Sequence, residues 1–220
     1  MVLIFDMDGV IVDNYQWHFE SYVEFGKRHN VIITRKDFGK YFGTSNHFIM
    51  KSIFGENISE EDIVAFGKEK ESIYREIYLP VIQPVRGLPA FLQYASGRGI
   101  PIALATAAPK ENVKFTLEAT GLANYFKTIT DASMVSRGKP DPEVYQVTAA
   151  KLGVQPSECF VFEDSIPGIT AAKTAGMRVI GVATTHKPEE LMKYVDEIIV
   201  NFETASEIVD NRPMEQSNKK

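Results

Sequence analysis

The sequence has a single cysteine, Cys159, a single tryptophan and only four histidines among its 220 residues. One thiol cannot form an intramolecular disulfide or a cysteine-ligated structural zinc site. Cys159 lies in the apolar run Cys159-Phe160-Val161-Phe162 and reads as a buried structural thiol. No apolar stretch approaches the ~18 residues needed to cross a bilayer. Nor does a basic segment lead into an apolar core at the start, because Asp6 and Asp8 interrupt it. Basic excess is missing too: 24 Lys and Arg against 29 Asp and Glu give a net charge of −5. Neither nucleic acid nor a membrane is therefore expected as a partner. The expected setting is soluble, reducing and cytoplasmic, and the expected state is a monomer.

What remains is globular in composition, 44% hydrophobic and 24% charged, with 14 Phe for a core. At ~100–200 residues per domain, the chain holds one domain, or one domain carrying an insertion. Short apolar runs at Val2–Phe5, Ile100–Ala105, Cys159–Phe162, Val179–Ala183 and Ile198–Val200 read as buried parallel strands, with a weaker one at Thr128–Thr130. Helical patterns at Lys110–Ala119, Pro142–Leu152 and Pro167–Ala175 alternate with them and stop at Gly121, Gly153 and Gly176. Asp141 and Ser165 supply starts for the second and third of these helices. Such alternation predicts an α/β fold, a Rossmann-like parallel sheet with helices on both faces.

Residues 15–84 break the rhythm. Gln16–His29 and Glu60–Tyr78 are helical, the latter opening at Ser59 with acids in its first turn. This segment is expected to be an inserted helical domain, with residues 1–14 and 85–220 forming the α/β core. Residues 213–220 are polar and expected to fray.

Four constellations carry chemistry. In Phe5-Asp6-Met7-Asp8-Gly9, a carboxylate stands at a strand's C-terminal end, a second follows two positions later, and Gly9 permits a sharp turn. Such a pair can divide labour between an ionised nucleophile and a protonated general acid. The run Phe160–Phe162 also ends in two acids, Glu163 and Asp164. In a parallel sheet both ends emerge on one edge, so Asp6, Asp8, Glu163 and Asp164 can converge on a hard cation such as Mg2+. The run Ile102–Ala105 ends at Thr106-Ala107-Ala108, where a hydroxyl suits either a phosphoryl oxygen or a helix cap. Lys139, held between Gly138 and Pro140 before a helix, is a fixed cation suited to phosphate.

The order Asp-x-Asp-Gly, Thr, Lys-Pro, Glu-Asp resembles the haloacid dehalogenase-like superfamily of phosphotransferases over nearly the whole chain. The helical insertion is similar to the cap of the subgroup containing β-phosphoglucomutase and sugar-phosphate phosphatases, as are His18, Lys70 and the continuation Asp164–Gly168. The resemblance implies that Asp6 attacks phosphorus to form an aspartyl-phosphate. It implies that Asp8 exchanges protons with the leaving alcohol and the incoming water, while its backbone carbonyl ligates Mg2+. Glu163 and Asp164 would hold the metal, partly through water, and Thr106 and Lys139 would clamp the phosphoryl oxygens. His18, Asn46, Lys70 and Ala107 would face a small phosphorylated metabolite, a sugar phosphate by this likeness. His18 suits an amphipathic helix between Trp17 and Phe19 equally well.

In the mutase, a Gly-x-x-Arg loop grips the substrate's second phosphate. Here the loop reads Gly43-Thr44-Ser45-Asn46, placed between helices, with an amide where the guanidinium would stand. Losing such a charge-assisted contact weakens binding by about 1.5–3 kcal/mol or more. A phosphatase is therefore favoured over a phosphosugar mutase. A dehalogenase would not need Asp8, Glu163 and Asp164 around a cation, and phosphonate-cleaving relatives carry a small residue where Asp8 stands. A catalytically inactive binding module is the rival of another class, and it would be free to lose the nucleophile or the clamp.

Overall fold

The computed structural model describes residues 1–41, 44 and 46–210. Six strands form one sheet: β1 (Val2–Phe5), β2 (Ile102–Ala105), β3 (Thr128–Thr130), β4 (Cys159–Glu163), β5 (Arg178–Val182) and β6 (Glu197–Ile199). Their spatial order is β3-β2-β1-β4-β5-β6, and every pairing is parallel. The chain runs outward from β1 through β2 to β3, then returns to β4 on the other side of β1. The strand order reverses there, which is where open α/β sheets bind ligands beyond the carboxyl ends of their strands.

Alternation along the strands sorts the core into two layers. Leu3 and Phe5 of β1 join Phe160 and Phe162 of β4 on one face, whereas Val2 and Ile4 join Cys159 and Val161 on the other. Phe5 stacks on Phe162 at 4.7 Å between ring centroids, and Phe91 and Phe202 close around the pair. The first layer is covered by α5 (Leu88–Gly97), α6 (Lys110–Ala119) and α10 (Ala205–Asp210). The second is covered by α7 (Glu143–Leu152), α8 (Ile166–Thr174) and α9 (Pro188–Leu191).

Between β1 and α5 lie α1 (Tyr15–Arg28), α2 (Arg35–Tyr41), α3 (Asn46–Phe54) and α4 (Glu60–Tyr78). They enclose their own apolar cluster, including Tyr22, Phe25, Phe38, Ile49, Met50 and Ile73. Ser59 caps α4 by accepting from the Asp62 backbone N–H at 3.0 Å, as its sequence predicts. Among the described residues, no helix is long and apolar enough to cross a membrane.

Several boundaries differ from the sequence reading. β2 begins at Ile102 because Pro101 has no N–H for the ladder, although its carbonyl accepts from Leu3 N. β6 stops at Ile199, leaving Val200 exposed. α7 starts at Glu143, with Pro142 at the cap and Asp141 Oδ1 accepting from Glu143 N at 3.0 Å. α5 follows the left-handed Gly87. Asn46, expected in a loop, is the first residue of α3. Gly43 and Ser45 of that expected loop, and the expected frayed tail at 213–220, lie outside the described residues.

Candidate active site

The ends of β2, β1 and β4 stand side by side, and each delivers a polar group. Asp6, directly after β1, donates its N–H to Phe162 O at 3.0 Å, so the sheet ladder fixes its backbone. Thr106, directly after β2, is fixed the same way by Thr130 O at 2.9 Å. Its Oγ1 accepts from Ala108 N at 3.0 Å, leaving the hydroxyl proton to point elsewhere. It does not cap α6, whose cap is Pro109. Glu163 ends β4 and Asp164 follows it.

Lys139 ties the acids together. It precedes a cis Lys139–Pro140 peptide, and its Nζ donates to Asp6 Oδ1 at 2.8 Å and to Glu163 Oε1 at 2.5 Å. Carboxylate oxygens of Asp6, Glu163 and Asp164 all lie within 4.8 Å of one another. Burial, together with the charges of Glu163 and Asp8, pushes Asp6 up to about 7 despite Lys139 beside it. Burial and the charges of Glu163 and Asp6 hold Asp164 well above the carboxylate range. Burial works against the Lys139 charge, but Asp6 and Glu163 outweigh it and raise that ammonium's pKa further.

The turn after β1 is shaped by Gly9, whose φ of 78° is left-handed. A Cβ at Gly9 would overlap the Asp164 carboxylate, so the absent side chain lets the two loops meet. Thr184 Oγ1 donates to Gly9 O at 2.5 Å, and Thr185 donates to Asp164 Oδ2. Gly168 does the equivalent for Glu163, whose carboxylate occupies the space of its missing Cβ. Glu163 is wholly buried. Besides Lys139, its oxygens accept from Tyr145 Oη at 2.8 Å, from the backbone N–H groups of Asp164 and Ser165, and from the Ser165 hydroxyl.

Asp8 turns its carboxylate away from this cluster. Its Oδ1 accepts from Asn14 Nδ2 at 2.6 Å and lies 3.7 Å from His18 Nε2. Burial would raise Asp8, yet His18, Asn14 and the more distant Lys70 together hold it below its ordinary value. The ranking of the two acids thus reverses the simple division of labour expected of the motif: Asp6 is the harder to ionise.

The helices of residues 15–78 supply the opposite wall. His18 is 8% exposed and stacks on Tyr74 at 4.0 Å between ring centroids. It is therefore an inward-facing polar residue rather than packing between Trp17 and Phe19. Lys70 Nζ donates to His18 Nδ1 and to Glu71 Oε1, both at 3.0 Å. Asn46 Nδ2 donates to Glu71 Oε1 at 3.4 Å, and Asn112 Nδ2, from α6, donates to Glu71 Oε2 at 2.6 Å.

A cavity of about 250 Å³ opens between these walls. It is lined by nine of the ten residues predicted from sequence: Asp6, Asp8, His18, Asn46, Lys70, Thr106, Ala107, Lys139 and Asp164. Glu163 sits behind Lys139 instead of on the surface of the cavity. Sequence reasoning missed Glu71, Asn112 and Asn14, which touch the lining acids and bases, and Tyr145 and Thr185, which hold Glu163 and Asp164. Glu71 alone had a signal, its place beside Lys70 on a helix; the others find partners far along the chain.

Residues 3–182 match the family described as haloacid dehalogenase-like hydrolase. The chain is 28% identical over 217 residues to the phosphorylated carbohydrates phosphatase of Thermotoga maritima, covering 90% of this chain and 99% of that protein. It is also 28% identical over 190 residues to the beta-phosphoglucomutase of Bacillus subtilis, covering 82% of each. Among solved structures, a family IA, variant 3 hydrolase from Entamoeba histolytica superposes with a TM-score of 0.87 at 29% identity, covering 95% of this chain and 97% of the other.

Proposed function

We propose that this chain, which belongs to the haloacid dehalogenase-like hydrolase family, is a Mg2+-dependent phosphomonoester hydrolase acting on a small phosphorylated metabolite, a sugar phosphate, through an aspartyl-phosphate on Asp6. The observation that carries this reading is the contact of Lys139 with Asp6 in a buried carboxylate cluster, one strand away from the Thr106 hydroxyl. Residues 1–14 and 85–220 are read as the α/β core, and 15–84 as a helical cap closing over it.

The residues present fit a hard divalent cation. The donors are all oxygen, and one ammonium faces three crowded carboxylates. The raised Asp6 and Asp164 show charge that Lys139 alone does not balance. Asp6, Asp164 and the Asp8 backbone carbonyl would hold Mg2+, with Glu163 contributing charge from behind. When bound, Mg2+ would supply the missing positive charge and so favour the ionised form of Asp6.

An Asp6 carboxylate oxygen attacks phosphorus as the ester P–O bond breaks, and Asp8, after taking up a proton from solvent against the hold of His18 and Asn14, hands that proton to the leaving alcohol. Water then attacks the aspartyl-phosphate, giving its proton to Asp8 and releasing inorganic phosphate with Asp6 restored. Thr106 and Lys139 donate to the phosphoryl oxygens throughout, where positioning and charge neutralisation dominate such transfers. The cap wall excludes bulk water around the reacting group.

The mutase reading has a relative of equal identity on its side. Asn46 stands against it, because an amide replaces the guanidinium that a second phosphate would need. Phosphate release from a panel of sugar phosphates, nucleotides and pyrophosphate, with Mg2+ and with EDTA, tests the reading. Mg2+-dependent release from sugar phosphates is expected. Efficient conversion of β-glucose 1-phosphate to glucose 6-phosphate with little release would favour the mutase, and no hydrolysis anywhere on the panel would favour an inactive binding module.

A further inference from the structure

The wall of the cavity where α4 meets α6 contains a carboxylate that no step above uses. Glu71 is 7% exposed and lines the cavity between α4 and α6. Its oxygens accept from Lys70, Asn46 and Asn112. A carboxylate has about four acceptor sites, so these three donors leave room for one more. Although burial opposes it, the charge of Lys70 and the hydrogen bonds from Lys70 and Asn112 hold Glu71 below its ordinary value, so the negative charge persists at neutral pH.

The nearby positive charge is already committed. Among the described residues lining the cavity, the two ammonium groups are Lys70, paired with Glu71, and Lys139, paired with Asp6 and Glu163. Arg75 reaches Asn112 Oδ1 at 2.6 Å from outside the lining. A second phosphoryl group here would meet a buried carboxylate and the side-chain amides of Asn46 and Asn112, with no unpaired ammonium among the described residues of the lining. Sugar hydroxyls both donate and accept, and they suit that mixture.

We propose that Glu71 is a specificity-determining residue that accepts from a hydroxyl at the non-reacting end of a monophosphorylated sugar or polyol and repels a second phosphoryl group at that end. This rests on the phosphatase reading and narrows its substrate class. Asn46 and Asn112 hold the carboxylate in place from the cap and the core, so the selective group forms where the two walls meet.

The test compares kcat/KM for glucose 6-phosphate and glucose 1,6-bisphosphate in the wild type, Glu71→Gln and Glu71→Asp. The wild type is expected to favour the monophosphate by about tenfold or more. In E71Q that ratio should fall by about tenfold, through a higher KM for the monophosphate and a lower KM for the bisphosphate. E71D keeps the charge and should keep the ratio within about threefold of wild type. A wild type that favours the bisphosphate overturns the proposal whether or not the variants fold. So does an E71Q ratio equal to wild type, or an E71D ratio as low as that of E71Q. A wild type that hydrolyses no phosphomonoester at all would instead overturn the phosphatase reading itself.

Discussion

Lys70 stands between His18 and Glu71, donating to both from one buried ammonium. Because an ammonium only donates, His18 Nδ1 must accept, which places the imidazole proton on Nε2, the nitrogen facing Asp8. One lysine of α4 thus sets the tautomer beside the proposed acid–base residue and keeps the proposed selective carboxylate ionised.

Replacing Lys70 by Met should expose this double duty. Removing one member of a buried ion pair costs roughly 3–5 kcal/mol, which denaturant unfolding would read as a lower midpoint. The double variant K70M/E71Q should recover part of that loss, because no unpaired charge remains. Equal stability of K70M and wild type would contradict the pairing.

Gly9→Ala combines two costs. The left-handed backbone carries a penalty of about 1–2 kcal/mol for a residue with a Cβ, and that Cβ displaces the Asp164 carboxylate. The Mg2+ concentration giving half-maximal phosphate release should rise by about 10–100-fold. An unchanged Mg2+ requirement would remove Asp164 from the proposed metal site.

Thr106→Val keeps the shape of the strand end and deletes the hydroxyl. If that hydroxyl serves the transferring phosphoryl group, kcat should fall by about 10²-fold with the fold intact. Circular dichroism beside steady-state phosphate release checks both parts. Full activity in the valine variant would show that the hydroxyl only braces its own loop through Ala108.

Glu71 should also mark the acid limb of the stability profile. Its folded pKa is depressed, so it contributes stability above the unfolded value near 4.5 and loses it as pH falls through the lower folded value. Stability measured from pH 7 downward should therefore decline less steeply in E71Q than in wild type over that acid range. Parallel profiles would mean that Glu71 is not held below its unfolded value.

Much of this arrangement can be read from the chain alone. An apolar run that stops abruptly at an acid, as at Phe5-Asp6 and Phe162-Glu163, marks both a buried strand and its functional end, because a parallel strand is covered on both faces. Ser59 and its three following acids mark the start of α4 for equally local reasons. Glu71 with Asn112, Glu163 with Tyr145, and Asp164 with Thr185 are different. Each pair joins residues brought together only by packing. The reversed ranking of Asp6 and Asp8 has the same origin, since it follows from burial, from Glu163 at the end of another strand, and from His18 of α1. Helix α5 is absent from the sequence reading, and its start is set by the left-handed Gly87 at its cap.

The central claim is that Asp6 takes the phosphoryl group. Asp6→Asn is nearly isosteric, so its circular dichroism and unfolding midpoint should stay close to wild type. Phosphate release from a sugar phosphate with saturating Mg2+ should then be abolished. A folded D6N enzyme that still releases phosphate at a substantial fraction of the wild-type rate would contradict the aspartyl-phosphate account.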